Sequence, residues 1–434
     1  MSDSMVRYVG LDVHKRVVQA CFLAADGRVL LQHRFELNAV SLAEFIRGHL
    51  KATDRVALEA TTNTWALARL LAPHVAEVVV SNPLTTKAIA SAKVKTDKVD
   101  AAVLAHLLRC DYLPRVWTPD EPTQELRRLT SRRAGLVSDR TRIKNRIHSV
   151  LAQRLMAPPR EQLFSKAGLA WLRQEPLDAE GRLLIDSDLR LLEAVEKELA
   201  LLDQVLAEKG HQDQSVKLLM TLPGVDLAVA QSLVAALGDI GRFADADHAA
   251  AYLGLVPSTR QSADCCYHGP ITKRGRGHAR WMLVQAAQHV RLHAGPLGIF
   301  FRRLAKKKNH NVAVVATARK LVVIAWHMLT HREPYRYAQP RVTEGKLSRL
   351  RVKATGRKRR TGPKQGVRST AKLQGGSRTI KPLAQVYREE GLPPTADPRP
   401  GERRMLRDCG AAPFAQSLAV DHVIPRRKPQ AAKP

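Results

Sequence analysis

The chain has 434 residues, with 71 Lys and Arg against 40 Asp and Glu, a formal net charge of +31. At roughly 100–200 residues per domain this length predicts two or three domains. A hydrophobic fraction of 44% is enough to build their cores, which excludes a wholly disordered basic protein. No run is read as the ~20 uncharged apolar residues of a membrane span. Residues 1–16 lack a basic segment followed by a long apolar one, which argues against secretion. Cys21, Cys110, Cys265, Cys266 and Cys409 are odd in number and lack zinc-ligand spacing, so they read as free thiols of a reducing cytoplasm. Nucleic acid is the partner such a charge favours, because phosphates reward dispersed Lys and Arg. Aromatics at 5% argue against a stacking-based single-strand binder.

In chain order, residues 6–13, 17–24 and 28–37 read as strands, with Asp26-Gly27 as the turn before the third. A helix over 42–50, a strand over 56–59, a helix over 64–71, a strand over 75–80 and an amphipathic helix over 96–109 follow. The order βββαβαβα predicts an α/β ribonuclease-H-like domain over 1–115.

From 125 to 155, Leu126, Leu129, Leu136, Ile143, Ile147 and Leu151 recur at helical spacing among many arginines. Leu192, Val195, Leu199, Leu202 and Leu206 form a second stripe, so 120–210 is expected to be a basic antiparallel coiled coil. Its cationic face offers Arg132, Arg133, Arg140 and Lys144 to DNA, with intrachain packing and a solvated face as the alternative. Residues 211–335 read as a mainly α second domain. There Pro223-Gly224 divides two apolar helices like a helix-hairpin-helix that presents N–H groups to phosphate, and Lys273, Arg274 and Arg276 add charge. Residues 341–434 hold 23 basic against 7 acidic residues, half the chain's excess. With little apolar periodicity and RKRR at 357–360, the segment 336–434 is expected to be a disordered basic tail whose removal spares the chemistry.

Four carboxylates stand out in the first domain: Asp12 inside an apolar strand, Glu59 ending another, and Asp97 and Asp100 opening a helix. Singly, the helix acids read as caps and Asp12 as a strand-end residue. Jointly, on a ribonuclease-H-like sheet, the four would meet. Clustered carboxylates stay ionised when cations neutralise them, and a pair of Mg2+ ions ~4 Å apart suits phosphoryl transfer.

The segments GLDVHK, ALEAT and KTDKVDAAVLAHLL resemble the RuvC-like DEDD domain of the insertion-sequence one-ten family of transposases. The stretch from LMTLPGV to GPITKRGRGHARWMLVQAA resembles that family's second conserved domain, and the likeness runs from about residue 8 to 331. It implies a recombinase acting on its element's ends and target DNA, as a homodimer or homotetramer, cytoplasmic and nucleoid-associated. It implies Asp12, Glu59, Asp97 and Asp100 as catalytic metal ligands. It further implies a serine from the second domain that links covalently to DNA, and a structured bridge RNA as guide. The serine falls at Ser262, with Ser258 as the fallback. Where the family has Gln-Ser-Gly, this chain reads Gln261-Ser262-Ala263. A Holliday-junction-like endonuclease using the acids and water, and a binding protein with structural acids, are the competing functions.

Overall fold

The computed structural model describes residues 6–90, 96–158, 162–262, 264–356, 377–420 and 422–425. It divides into two compact units, 1–120 and 121–434.

In the first unit β1 (Tyr8–Val13), β2 (Val17–Leu23) and β3 (Val29–Glu36) form an antiparallel meander, closed at Gly27, whose φ of 91° suits glycine. Then come α1 (Ala39–His49), β4 (Arg55–Glu59), α2 (Thr64–Leu71), β5 (Glu77–Ser81), α3 (Pro83–Ile89) and α4 (Asp97–Arg109). The sheet order is β3-β2-β1-β4-β5, with β4 parallel to both β1 and β5. This mixed sheet with crossover helices is compatible with a ribonuclease-H-like domain. Alternation along the strands divides two cores. Val9, Leu11, Phe22, Val56 and Leu58 pack with Phe45, Leu67 and Leu71 on one face. On the other, Ala57 and Val79 meet Leu104 and Leu108, and Cys21 and Leu23 meet Ala101 and Ala105.

The second unit opens with α5 (Glu121–Gln153), α6 (Lys166–Gln174) and α7 (Ala179–Gln212). Ion pairs Glu125–Lys209, Arg133–Asp203, Arg146–Asp188 and Arg154–Asp178 run in opposite sequence directions, so α5 and α7 are an antiparallel hairpin. Its own core holds Ile143, Ile147, Leu151, Leu172, Ile185 and Leu192. There follow α8 (Gln214–Met220), α9 (Leu227–Leu237), α10 (Ala246–Tyr252), β6 (Pro257–Ser262), β7 (Cys265–Ile271), α11 (Gly277–Val290), α12 (Pro296–Lys307) and α13 (His310–His331). By length and composition α13 could cross a membrane, unlike anything expected from the sequence. Its Val314, Ala318, Leu321, Val322 and Ala325 are instead buried in this unit's core.

The Pro223-Gly224 turn joins two helices, as expected, and its flanking residues pack into the core. Leu222 and Val225 are fully buried, and Gly224, with φ of 75°, leaves no room for a side chain beside the Ala286 carbonyl. The carbonyls of Leu222 and Val225 each accept a 2.8 Å hydrogen bond from Lys346 Nζ. That lysine belongs to the expected disordered tail, which is folded over much of its length as α14 (Pro340–Thr355), β8 (Ser377–Ile380), α15 (Leu383–Glu389), α16 (Pro400–Asp408), α17 (Ala412–Ser417) and β9 (His422–Pro425). Leu347, Leu350, Leu383, Tyr387 and Leu406 belong to the same core as α8 to α13. Sparse but well-spaced apolar residues on short helices suffice because that core is already there to receive them. The RKRR motif at 357–360 lies outside the described residues.

Candidate active site

The acid site is built by a close approach. Gly10 and Asp12 share one face of β1, the face α4 covers. A Cβ on Gly10 would lie 2.7 Å from Ala105 N and closer still to the Ala101 carbonyl. Only a hydrogen there lets α4 lie directly on the strand. Thr96 caps that helix, its Oγ1 accepting from Val99 N at 3.3 Å, so Asp97 and Asp100 occupy the first turn. The parallel register pairs Leu11 with Leu58. The next positions along both strands are Asp12 and Glu59, side by side on one face.

Asp12, Asp97 and Asp100 are therefore neighbours at the end of β1, with Glu59 at the adjoining register position on β4. Asp12 and Asp97 place carboxylate oxygens, with an imidazole nitrogen of His14, within 4.8 Å of one another. Partial burial is the first cause that pushes the Asp12 carboxyl above its usual range. Asp100 and Asp97 add to the rise, while His14 opposes it. A partly buried carboxylate with two further carboxylates beside it is a donor set short of positive charge, which fits a divalent cation. Among the described residues this is the one place where three such side chains converge.

His14 was missed in the sequence reading, although it stands in GLDVHK two residues after Asp12. It lies just past the end of β1, in the turn to β2, so the signal was its nearness in sequence to Asp12 and not a strand register.

Ser262 belongs to the second unit. The strands β6 and β7 form an antiparallel hairpin in this mainly helical unit, and Ser262 ends β6 opposite Cys265, exposed at the hairpin tip. The adjoining Ala263 lies outside the described residues. Ser258 is half-buried, and its Oγ donates to the Pro270 carbonyl at 3.0 Å. Gly269 makes room for it, since a Cβ there would stand 2.6 Å from Ser258 Oγ. The two serines thus differ: one hydroxyl is committed inside the hairpin and the other is displayed.

The basic residues divide in the same way. Arg133 pairs with Asp203 at 2.6 Å, and Lys144 lies 3.9 Å from Glu196 and over the Phe164 ring. Both thereby tie α5 to its surroundings. Arg132 is exposed and Arg140 half-exposed. Lys273 and Arg274 are exposed on a loop that Arg280 holds through the carbonyls of Leu253 and Arg274, at 2.9 Å each. Arg276 is half-buried, and its burial pushes the guanidinium pKa down.

Comparisons with known proteins place the chain in a family. Residues 9–156 match a transposase family model of the DEDD type, and residues 216–299 match the model described as Transposase IS116/IS110/IS902 family. The chain is similar to the transposase for insertion sequence element IS1111A of Coxiella burnetii, 26% identical, covering 76% of this chain and 92% of that protein. It is 25% identical to the IS116 44.8 kDa protein of Streptomyces clavuligerus, covering 77% of this chain and 97% of the relative. The pilin gene-inverting protein of Moraxella bovis is 26% identical over 76% of this chain and 97% of its own length. With both family models met in order, the chain belongs to the IS116/IS110/IS902 family of transposases.

Proposed function

We propose that this chain cuts and rejoins DNA at the ends and target of its own element, using a divalent-metal acid site and a serine nucleophile. The observation that carries the reading is the convergence of Asp12, Asp97 and His14 ligand atoms beside Asp100 and Glu59. Two Mg2+ ions, bound by Asp12, Glu59, Asp97 and Asp100, would supply charge stabilisation for the attacking and leaving oxygens of an in-line displacement. The protein's part is to hold those carboxylates together on β1, β4 and α4.

Ser262 Oγ forms the bond to phosphorus while the bond from phosphorus to one deoxyribose oxygen breaks. The serine proton is lost and the departing sugar oxygen takes one up, so the phosphodiester count is unchanged and rejoining needs no outside energy. The exposure of Ser262, against the committed hydroxyl of Ser258, supports that choice. A structured bridge RNA, which the family likeness implies, is a second nucleic-acid partner, and the net charge of +31 suits a polyanion of either kind. A dimer or tetramer is supported by a second apolar seam on α7, where Leu184, Leu191, Leu201 and Val205 are exposed at heptad-like spacing. The working place is the cytoplasm, at the nucleoid.

The test uses nicked donor DNA with Mg2+ on denaturing gels. Wild type should give a slow, protease-sensitive DNA band, and both Asp12→Asn and Ser262→Ala should lose it while still binding DNA. An adduct that persists in Ser262→Ala overturns the serine assignment. Cleavage without any adduct replaces the reading with the junction endonuclease.

A further inference from the structure

Three ligand-type atoms meet at the acid site, and one of them is a nitrogen. His14 Nε2 lies 3.1 Å from Asp12 Oδ2 and 3.3 Å from Asp97 Oδ1. Neighbouring ligands of an octahedral divalent cation, at bonds of about 2.1 Å, stand about 3 Å apart. The two separations therefore match those of ligands that share one ion.

Hydrogen bonding alone accounts for the arrangement less well. A ring nitrogen carries at most one proton, so Nε2 donates well to one carboxylate rather than to two. Packing does not account for it either. The His14 side chain is 52% exposed, yet it turns onto the acids instead of into water. The backbone fixes its direction: His14 N donates to the Val17 carbonyl at 2.9 Å, closing the turn between β1 and β2 directly after Asp12.

We propose that His14 is a nitrogen ligand of the cation held by Asp12 and Asp97, making this a mixed oxygen–nitrogen site. The proposal rests on the acid-site reading above. Imidazole suits Mn2+, Co2+ and similar ions better than Mg2+, which prefers oxygen. Four carboxylates alone would set Mg2+ and Mn2+ nearly level, whereas an added imidazole raises Mn2+ preferentially.

The test is pulsed electron paramagnetic resonance of Mn2+ bound to the full-length protein, with Mn2+ and Mg2+ affinities measured by calorimetry. Wild type should show nitrogen-14 modulation of the Mn2+ signal, converted to the nitrogen-15 pattern when histidines carry that isotope. His14→Gln should lose the modulation and bind Mn2+ about tenfold or more weakly, with a smaller loss for Mg2+. Retained nitrogen modulation in His14→Gln, or an unchanged Mn2+ affinity, overturns the ligand role while leaving the acid site in place. Asp12→Asn separates the two failures: a wild-type Mn2+ signal that survives this substitution overturns the acid-site reading itself. The isotope experiment needs no substitution, so it reports histidine ligation in wild type whatever the folding of a variant, and a wild-type melting curve for His14→Gln excludes a folding defect as the cause of its loss.

Discussion

On the proposed reading, Asp12 sets function against stability at a single residue. Its carboxylate is partly buried and stands among like charges, so the ionised form is held in the fold at a cost. Asp12→Asn removes that charge without changing side-chain size. In a chelator, its melting temperature should equal or exceed that of wild type while strand cleavage disappears; a variant that melted lower would point to a structural carboxylate. Ser258 and Ser262 make the complementary pair. Ser258→Ala deletes the bond to Pro270 O and should cost about 1 kcal/mol in chemical denaturation while keeping the DNA adduct. Ser262→Ala breaks no hydrogen bond described here, so it should leave stability alone and abolish the adduct.

Between elements, the decisive contact is α4 on β1. Gly10→Ala forces a methyl into the backbone of Ala101 and Ala105, which the helix can relieve only by moving away. Expected is a loss of about 1–3 kcal/mol, with cleavage reduced further than that loss explains, because Asp97 and Asp100 ride on the helix. Gly48→Ala is the control: it sits in α1 with open space around its Cβ position and should be neutral or stabilising by up to about 1 kcal/mol. The α5–α7 hairpin offers another separation of roles. Arg133→Ala breaks the pair with Asp203 and should lower the melting temperature. The double substitution Arg132→Ala, Arg140→Ala should leave melting unchanged and reduce the salt slope of nucleic-acid binding by about 2, if both face phosphates. A reversed pattern would return Arg133 to the nucleic-acid face.

Over the whole molecule, the C-terminal segment is part of the second unit's core. Deleting 341–434 strips Leu347, Leu350 and Tyr387 from it, and also the Lys346 clamp on the turn before α9. Such a truncation should be insoluble or unfolded, unlike the active, less salt-sensitive protein expected of a disordered tail. Lys346 makes a pH-dependent version of the same test. Burial, as the largest cause, pushes its amine from an ordinary 10.5 to about 7, with Arg349 adding to the fall. Between those values the unfolded chain binds more protons than the folded one, so stability rises as pH rises from about 7. Melting curves at pH 7 and 9 should show that rise in wild type and a smaller one in Lys346→Met. Equal rises in both would assign the pH dependence to other groups.

What the sequence determined by itself is what short-range pattern encodes. The strands of the first unit are short apolar runs, with β3 alternating, and α5, α7 and α13 repeat apolar residues at helical spacing, so each element is specified by residues a few positions apart. The four acids were legible for the same reason, each sitting at the end of a readable element. Tertiary structure alone decided what depends on distant partners. The β6–β7 hairpin is exposed on most of its length and carries no apolar alternation to read. Lys346 is a surface-type residue until Leu222 and Val225, more than a hundred positions away, accept from it. His14 becomes part of a site only once Gly10 has let α4 bring Asp97 to within 3.3 Å of its ring. A sequence states its local periodicities, but burial and partnership are set by chain segments that meet only after folding.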